Sequence, residues 1–378
     1  MVLAILAAVA ASAATAGTKT AQAGLPSTIH IPVVMSQSGA AALPGTQLIN
    51  GMQFAASQIN STKFLGKSKI VLDLNDDQSD TNVAFRDVTS VVDSKPPAFM
   101  GPGVSALALT TAGIAEQAHI PYIATEAVSS GLRPYVQRGH YIYRLTPPEF
   151  NYQDITFKYL AAHNIKSISI LYVQEGAAQT EWATKTVPPL AKKYKIKILD
   201  TIPFPQTQTD FNALATRLAQ EKPDAIGIAS FSSQNPAIIT QIRQSGYKGQ
   251  LFGEGSFGGN SLVGAGSAAN GAIWASDYAP FMTYPSSVAF TNAWRKAHSG
   301  ADPLNFNAEG FDGLWFLAHA LKRANSVDPA KVDKALEALV QNYYNGAIGK
   351  ITFKRTHDAF SPGVLNMWQD GKPVRAAG

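Results

Sequence analysis

Ile29-His30-Ile31-Pro32-Val33-Val34-Met35 is a nearly continuous apolar run of strand length. Such a run fits a strand covered on both faces rather than one half open to water. A loop of Gly, Ala and Ser follows over residues 36–45. Leu48, Met52, Ala55 and Ile59 then recur at helical spacing. Buried strand, small-residue loop and amphipathic helix together open a βαβ unit, which requires a parallel sheet covered by helices.

Outward from that stretch the alternation continues. Strands are expected at residues 69–75, 97–101 and 121–125, with helices between them, including 106–118. The pattern restarts at Ser167-Ile168-Ser169-Ile170-Leu171-Tyr172-Val173. A helix at 179–193, a strand at 197–204, a helix at 210–221 and strands at 225–230 and 250–253 follow. Lys95-Pro96-Pro97-Ala98-Phe99 and Lys222-Pro223-Asp224-Ala225-Ile226 each open the third strand of their half, a short echo of duplication. The tail reads as helices at 285–298, 308–324 and 329–341. Phe311, Leu314, Trp315, Ala318 and Leu321 make one core-facing stripe. Short strands at 351–353 and 364–374 close the chain, with Asp370-Gly371 as a tight hairpin turn. No long linker separates the halves, so the expected fold class is α/β, two parallel-sheet lobes joined by several short crossings.

The composition agrees. The 378 residues suit two to three domains at about 150 residues each. Hydrophobic residues make up 46 %, enough for real cores, and mean hydropathy is −0.03. The net charge of +5 is spread out, and its densest run, Lys192, Lys193, Lys195 and Lys197, reads as a solvated helix end. Nothing resembles the concentrated basic face that neutralises phosphates, so no nucleic-acid partner is expected. The absence of cysteine excludes disulfides, thiolate metal sites, cysteine nucleophiles and a lipidated cysteine anchor.

Residues 2–14 are almost purely Ala, Val, Leu and Ile, shorter than the roughly 20 apolar residues a bilayer span needs. Ala21-Gln22-Ala23 supplies a small-x-small cleavage pattern before Gly24. Residues 1–23 are therefore read as a signal peptide, and the product as a soluble, unanchored periplasmic protein.

Catalytic motifs are poor. The seven histidines show no i, i+3 or i+4 pair, so no helical zinc motif exists and no metal site is expected. Gly253-Glu254-Gly255-Ser256-Phe257-Gly258 satisfies G-x-G-x-x-G, with Asp277 about 20 residues on, but the stretch that follows is too rich in Gly, Ser and Asn for the receiving helix. Ser256 narrowly misses a nucleophile elbow, because Glu254 stands where Gly is needed. No cofactor is expected, and the chain is not read as an enzyme. Asp73, Asp76, Asp77 and Asp80 read as a surface patch with Asp80 as a helix N-cap.

Binding architecture is better represented. Gly101-Pro102-Gly103-Val104-Ser105 leaves a strand and opens a helix, whose first free N–H groups, with the Ser105 hydroxyl, suit an anion such as a carboxylate. A plain helix-cap role for Ser105 is the competing reading. Loops at 36–45, 125–129, 174–180, 231–234 and 253–258 also follow strands, where open α/β sheets place ligands. They come from both halves, so the natural site is a cleft between them.

In order, the apolar strand with its Ser36-Gln37-Ser38-Gly39 loop, Asn50-Gly51-Met52-Gln53-Phe54-Ala55, Asp76-Asp77-Gln78-Ser79-Asp80, Gly101-Pro102 with Ser105, Ile120-Pro121-Tyr122-Ile123, Gly310-Phe311-Asp312-Gly313 and Gly349-Lys350-Ile351-Thr352-Phe353 resemble the type I periplasmic solute-binding proteins, in the leucine/isoleucine/valine-binding branch of ABC transporters. The resemblance implies two Rossmann-like lobes with three crossings, near residues 145–148, 277–280 and 346–351. It implies an N-terminal lobe of 24–146 plus 280–348 and a C-terminal lobe of 147–279 plus 349–378. It also implies a monomer that closes on a small molecule and hands it to an ABC permease.

Carried over by position, the carboxylate-binding Ser matches Ser105, with Gly103 and Ala106 beside it. The residue whose carbonyl meets the ammonium matches Glu126, after Thr125, and the helping Thr matches Val128. The aromatic contact falls near Phe231 or Ser232, and the ammonium-binding Glu aligns with Gly255, one residue from Glu254. Ser36, Gln174 and Tyr278 lie in the other cleft loops. The carboxylate half is thus retained, whereas the ammonium half has lost a hydroxyl and an acid. An ammonium buried without a carboxylate costs on the order of several kcal/mol. The expected ligand is therefore a small hydrophobic or aromatic carboxylate without an α-amino group. A shift of Glu254 into the cleft, or the use of Glu126, would restore a branched-chain or other amino acid, and the residues leave that choice open. A periplasmic ligand sensor is a further alternative.

Overall fold

The computed structural model describes residues 24–342 and 344–376, so the expected signal segment lies outside the described residues. The first lobe opens with β1 (Thr28–Met35), α1 (Ala42–Ser61), β2 (Lys69–Asp76), α2 (Thr81–Asp93), β3 (Phe99–Met100), α3 (Ser105–Ala118), β4 (Tyr122–Ala124) and β5 (Ile142–Arg144). Its parallel sheet runs β2-β1-β3-β4-β5. Ile29, Ile31 and Val33 of β1 are buried toward α1 and Val34 toward α3, as a strand covered on both faces requires.

The second lobe contains α4 (Gln153–Ala162), β6 (Ser167–Val173), α5 (Ala177–Glu181), α6 (Val187–Lys193), β7 (Lys197–Phe204), α7 (Asn212–Glu221), β8 (Ala225–Ala229), α8 (Asn235–Gln244), β9 (Gln250–Gly253) and β10 (Ile273–Ser276). The expected helix at 179–193 is interrupted by a π stretch, Trp182–Thr186. Pro188 and Pro189 follow it and lack the N–H groups that an α-ladder would need.

The chain then returns to the first lobe as α9 (Pro285–Ala297), α10 (Asn305–Ala324), α11 (Pro329–Leu339) and the hairpin β11 (Tyr344–Gly346)–β12 (Gly349–Ile351). Finally β13 (Val364–Gln369) and β14 (Lys372–Arg375) add antiparallel edges to the second sheet, which runs β14-β13-β10-β9-β8-β6-β7. Positive φ at Asp370 and Gly371 makes the tight turn between them.

Helices α1 and α10 touch backbone to backbone. A Cβ on Gly310 would stand 2.1 Å from the Leu48 carbonyl oxygen, and one on Gly51 would stand 2.1 Å from that of Asn307. In the α10 stripe Leu314, Ala318 and Leu321 are buried, while Phe311 and Trp315 pack half-buried against Phe54 and Phe64.

Three segments cross between the lobes. Two follow β5 and β10, near the expected places. The third comes later than residues 346–351. Ile351, Phe353 and Ala359 belong to the first lobe's core, and the Asp358 carboxylate pairs with Arg144 of β5 at 2.8 Å. Asp312 of α10 takes the Ala347 and Ile348 N–H groups at 2.6 and 3.0 Å, which pins this hairpin to the first lobe. The crossing therefore lies at residues 361–363, and the expected switch at 349 is corrected to that point.

Candidate functional site

The carboxyl ends of the strands from both sheets face one another across a cleft. Its cavity holds about 730 Å³, counting the open mouth. The starts of α1 and α3 reach it from the first lobe through Ala41 and Pro44 and through Val104, Ser105 and Ala106. The α5 end reaches it from the second lobe through Ala177, Ala178 and Gln179.

Of the residues singled out from sequence, Ser105, Ala106, Glu126, Val128, Phe231, Glu254 and Gly255 line this cavity. Ser105 is the first residue of α3 rather than its cap, and the cap position, Val104, offers no side-chain bond. The Ser105 hydroxyl accepts the Ser129 N–H at 3.2 Å, which holds the loop after β4 against α3.

The other five stand behind the wall. Ser36 is buried and donates to Asp77 Oδ1 at 2.5 Å. Gly103 packs under Met35 and Leu48. Thr125 is buried, with its methyl toward Gly313. The Gln174 amide turns to Glu175. Tyr278 points into the first lobe, where its hydroxyl pairs with Thr291 at 2.7 Å and its ring packs against Phe290. Phe257 likewise fills the second lobe's core. The Asp76–Asp80 patch is structural. Asp76 takes the Gln37 and Ser38 N–H groups, and Asp80 caps α2 through Asn82 and Val83.

Thr146, Glu149, Tyr152, Gln179, Asn305 and Glu309 carry no individual signal as contacts in the sequence, and Asp277 stands out there only within a crossing and after the rejected dinucleotide fingerprint. All seven line the cavity. The visible signal was an acid within apolar surroundings: Glu149 after Pro147-Pro148, and Glu309 at the start of the α10 stripe.

Five carboxyl groups therefore meet in one cavity whose lining contains no Lys, Arg or His. Glu149 Oε1 accepts from Gln153 Nε2 at 2.5 Å and from the Gly255 N–H at 2.7 Å. Glu254 Oε2 accepts the Ser256 N–H at 2.9 Å. Glu309 accepts from the Thr146 hydroxyl and the Asn305 amide at 3.2 Å each, and its carboxyl meets that of Asp277. Glu126 sits at a left-handed φ of 71° with its N–H on Thr146 Oγ1 at 2.7 Å. Its carboxylate has no hydrogen-bond partner among the described residues.

Burial first, and neighbouring acids second, push Glu126 and Asp277 well above the usual carboxylate range. Glu149 rises likewise, with the same order of causes. Burial raises Glu254 to about 7 and Glu309 to about 8. Each shift records how poorly this cavity tolerates uncompensated negative charge. The arrangement offers recognition of two poles: helix-start N–H groups with Ser105 for an anion, and carboxylates for a cation.

Two parallel-sheet lobes, three crossings and a cleft between strand ends define a hinged, two-lobed binding protein of the type I class. A family model described as "Periplasmic binding protein" matches residues 28–372, and the chain belongs to that family. Among relatives, the Leu/Ile/Val-binding protein homolog 7 of Brucella abortus (strain 2308) is 23 % identical, over 89 % of this chain and 88 % of its own. Two solved structures show the same fold. The branched-chain amino acid substrate-binding protein LivJ of Streptococcus pneumoniae, in complex with isoleucine, has TM-score 0.80 at 23 % identity, covering 92 % of this chain and 97 % of its own. A solute-binding protein of an ABC transporter from Rhodopseudomonas palustris BisB5, in complex with 3,4-dihydroxybenzoic acid, has TM-score 0.79 at 22 % identity, covering 92 % and 95 %.

Proposed function

We propose that this chain is the periplasmic capture subunit of an ABC importer, acting as a monomer, and that its ligand is a small amino acid. The observation that carries the ligand class is Glu126. Its carboxylate opens into the cavity without a partner, on the loop that Ser129 ties to Ser105. A carboxylate held at the start of α3 would place an α-ammonium within reach of that acid. Glu149 and Glu254 add two more carboxyl groups to the same cavity, which an arriving ammonium would draw into the ionised form. The acid expected at Gly255 is thus supplied from neighbouring positions, which favours the amino-acid alternative over an acid lacking the amino group.

A second reading, an aromatic acid, draws support from Phe231, Phe306 and Tyr152 in the cavity wall and from the dihydroxybenzoate complex of the Rhodopseudomonas protein. Calorimetry with matched pairs decides between them. Leucine should bind at least tenfold tighter than 4-methylpentanoate, and phenylalanine tighter than phenylpropanoate, a gap of about 1.4 kcal/mol or more. Glu126→Gln should erase the gap. Tighter binding of the acids in both pairs would overturn the amino-acid reading.

A further inference from the structure

The cavity holds more acids than an ordinary amino acid has a use for. A zwitterion brings one ammonium but also one carboxylate, so it adds no net positive charge to a cavity lined by five acids and no base. The acids are also spread out. Glu149 and Glu254 stand on the Gly255 side, joined through the Glu149–Gly255 bond. Asp277 and Glu309 meet at the hinge, between the crossing after β10 and the start of α10. No three acids among the described residues converge closely enough to hold one metal ion. A compact inorganic cation therefore does not match the arrangement, and an extended organic cation does.

A second observation singles out the hinge pair. Asp277 is 1 % exposed and lines the cavity, and once an arriving cation ionises the pair its Oδ2 has no donor among the described residues. Glu309 beside it is already held by Thr146 and Asn305. One acid of the pair is fixed by the protein, while the other keeps an oxygen for a donor from the cavity. A buried carboxylate left without a donor is costly, so such a site favours an arriving ammonium.

We propose that Asp277 and Glu309 form a second cation subsite, and that the ligand is a diamino acid. Its α-carboxylate lies at Ser105 and the start of α3, its α-ammonium at Glu126, and its side-chain amine at the hinge pair. This rests on the amino-acid reading above and adds a second cation to it.

Calorimetric titration of the mature chain with lysine, ornithine and norleucine tests the subsite, because norleucine matches lysine except for the terminal amine. Putrescine and hexanoate test the reading beneath it. The better of lysine and ornithine should bind at least thirtyfold tighter than norleucine. Asp277→Asn and Glu309→Gln should each remove most of that advantage while leaving norleucine within about threefold. Norleucine binding as tightly as the diamino acids overturns the subsite and leaves the amino-acid reading standing. Equal weakening of lysine and norleucine by both variants also overturns it, by showing a structural role. Putrescine binding more tightly than every amino acid overturns the diamino-acid assignment through its α-carboxylate. Hexanoate as the sole binder overturns both.

Discussion

Glu181, on α5 of the second lobe, accepts the hydroxyl of Ser129, in the first-lobe loop after β4, at 2.7 Å. The same carboxylate takes the Ser130 N–H at 2.8 Å. The Ser129 N–H in turn bonds Ser105 at 3.2 Å, so this contact between lobes is one residue removed from the carboxylate end of the cleft. Gln47 with Asn260 at 2.7 Å and Ser233 with the Ala40 carbonyl at 3.3 Å join the lobes on the other side of the mouth.

Glu181→Ala should therefore weaken ligand binding without touching the ligand. Hydrogen bonds to a charged group are worth about 1.5–3 kcal/mol, and their loss biases the lobes toward opening. A roughly tenfold to hundredfold rise in Kd is expected. Small-angle scattering should show a larger radius of gyration for the variant at subsaturating ligand. An unchanged Kd would mean that closure does not depend on this contact.

A packing prediction follows from the α1–α10 contact. Gly310→Ala pushes a methyl into the Leu48 carbonyl, which belongs to a helix backbone and cannot turn aside. The helices must separate, at a cost of about 1–3 kcal/mol or more. Chemical denaturation should show a lower midpoint with an unchanged m-value. Wild-type stability would place the helices farther apart than they stand here.

Much of this fold is legible because apolar periodicity survives in the strongest elements. β1, β2, β6, β7 and β9 fall within a residue or two of their expected bounds. The helices α4 and α8, ten residues each, and the strands β5 and β10 were not anticipated. They are short, and Ile142-Tyr143-Arg144 carries a fully buried arginine that breaks the apolar pattern until Asp358, 214 positions on, supplies its partner. The site divides in the same way. Ser105 and Glu126 are readable because each lies within a few residues of the carboxyl end of its own strand. Glu149, Asp277 and Glu309 come to share one cavity only when two distant crossings and the start of α10 are brought together at the hinge. Tyr278 misled because a residue next to a lining position can point the opposite way.

At the anion pole, Ser105→Ala should raise the Kd of carboxylate ligands by tenfold to a hundredfold, as for a lost hydrogen bond of about 1.5–3 kcal/mol to a charge. The methyl ester of the same ligand should lose little further affinity in the variant. If free acid and ester respond alike to the substitution, Ser105 serves only to hold Ser129.

The acids of the cleft also set a pH dependence. Glu254 and Glu309 are raised to about 7 and about 8, and Glu126, Glu149 and Asp277 are raised as well, burial being the largest cause in each. An unfolded chain ionises such groups near pH 4. Between about pH 4 and the raised value, the folded protein therefore binds more protons than the unfolded one, and stability is lost as pH rises through that window. Asp312 and Asp333, raised to about 7 and about 6, act in the same sense outside the cavity. Asp76, Asp224 and Glu337 are lowered, and their contribution is lost only as pH falls below the usual carboxylate range. The unliganded protein should thus melt several degrees lower at pH 8 than at pH 5.5, a shift on the order of a few kcal/mol. Glu254→Gln combined with Glu309→Gln should flatten part of that slope and leave the shares from Glu126, Glu149, Asp277, Asp312 and Asp333. A cationic ligand should flatten it further and release protons on binding, read as a buffer-dependent calorimetric enthalpy. Equal melting temperatures at pH 5.5 and 8, with no proton release, would mean that these carboxyls titrate as freely in the cleft as they do in water.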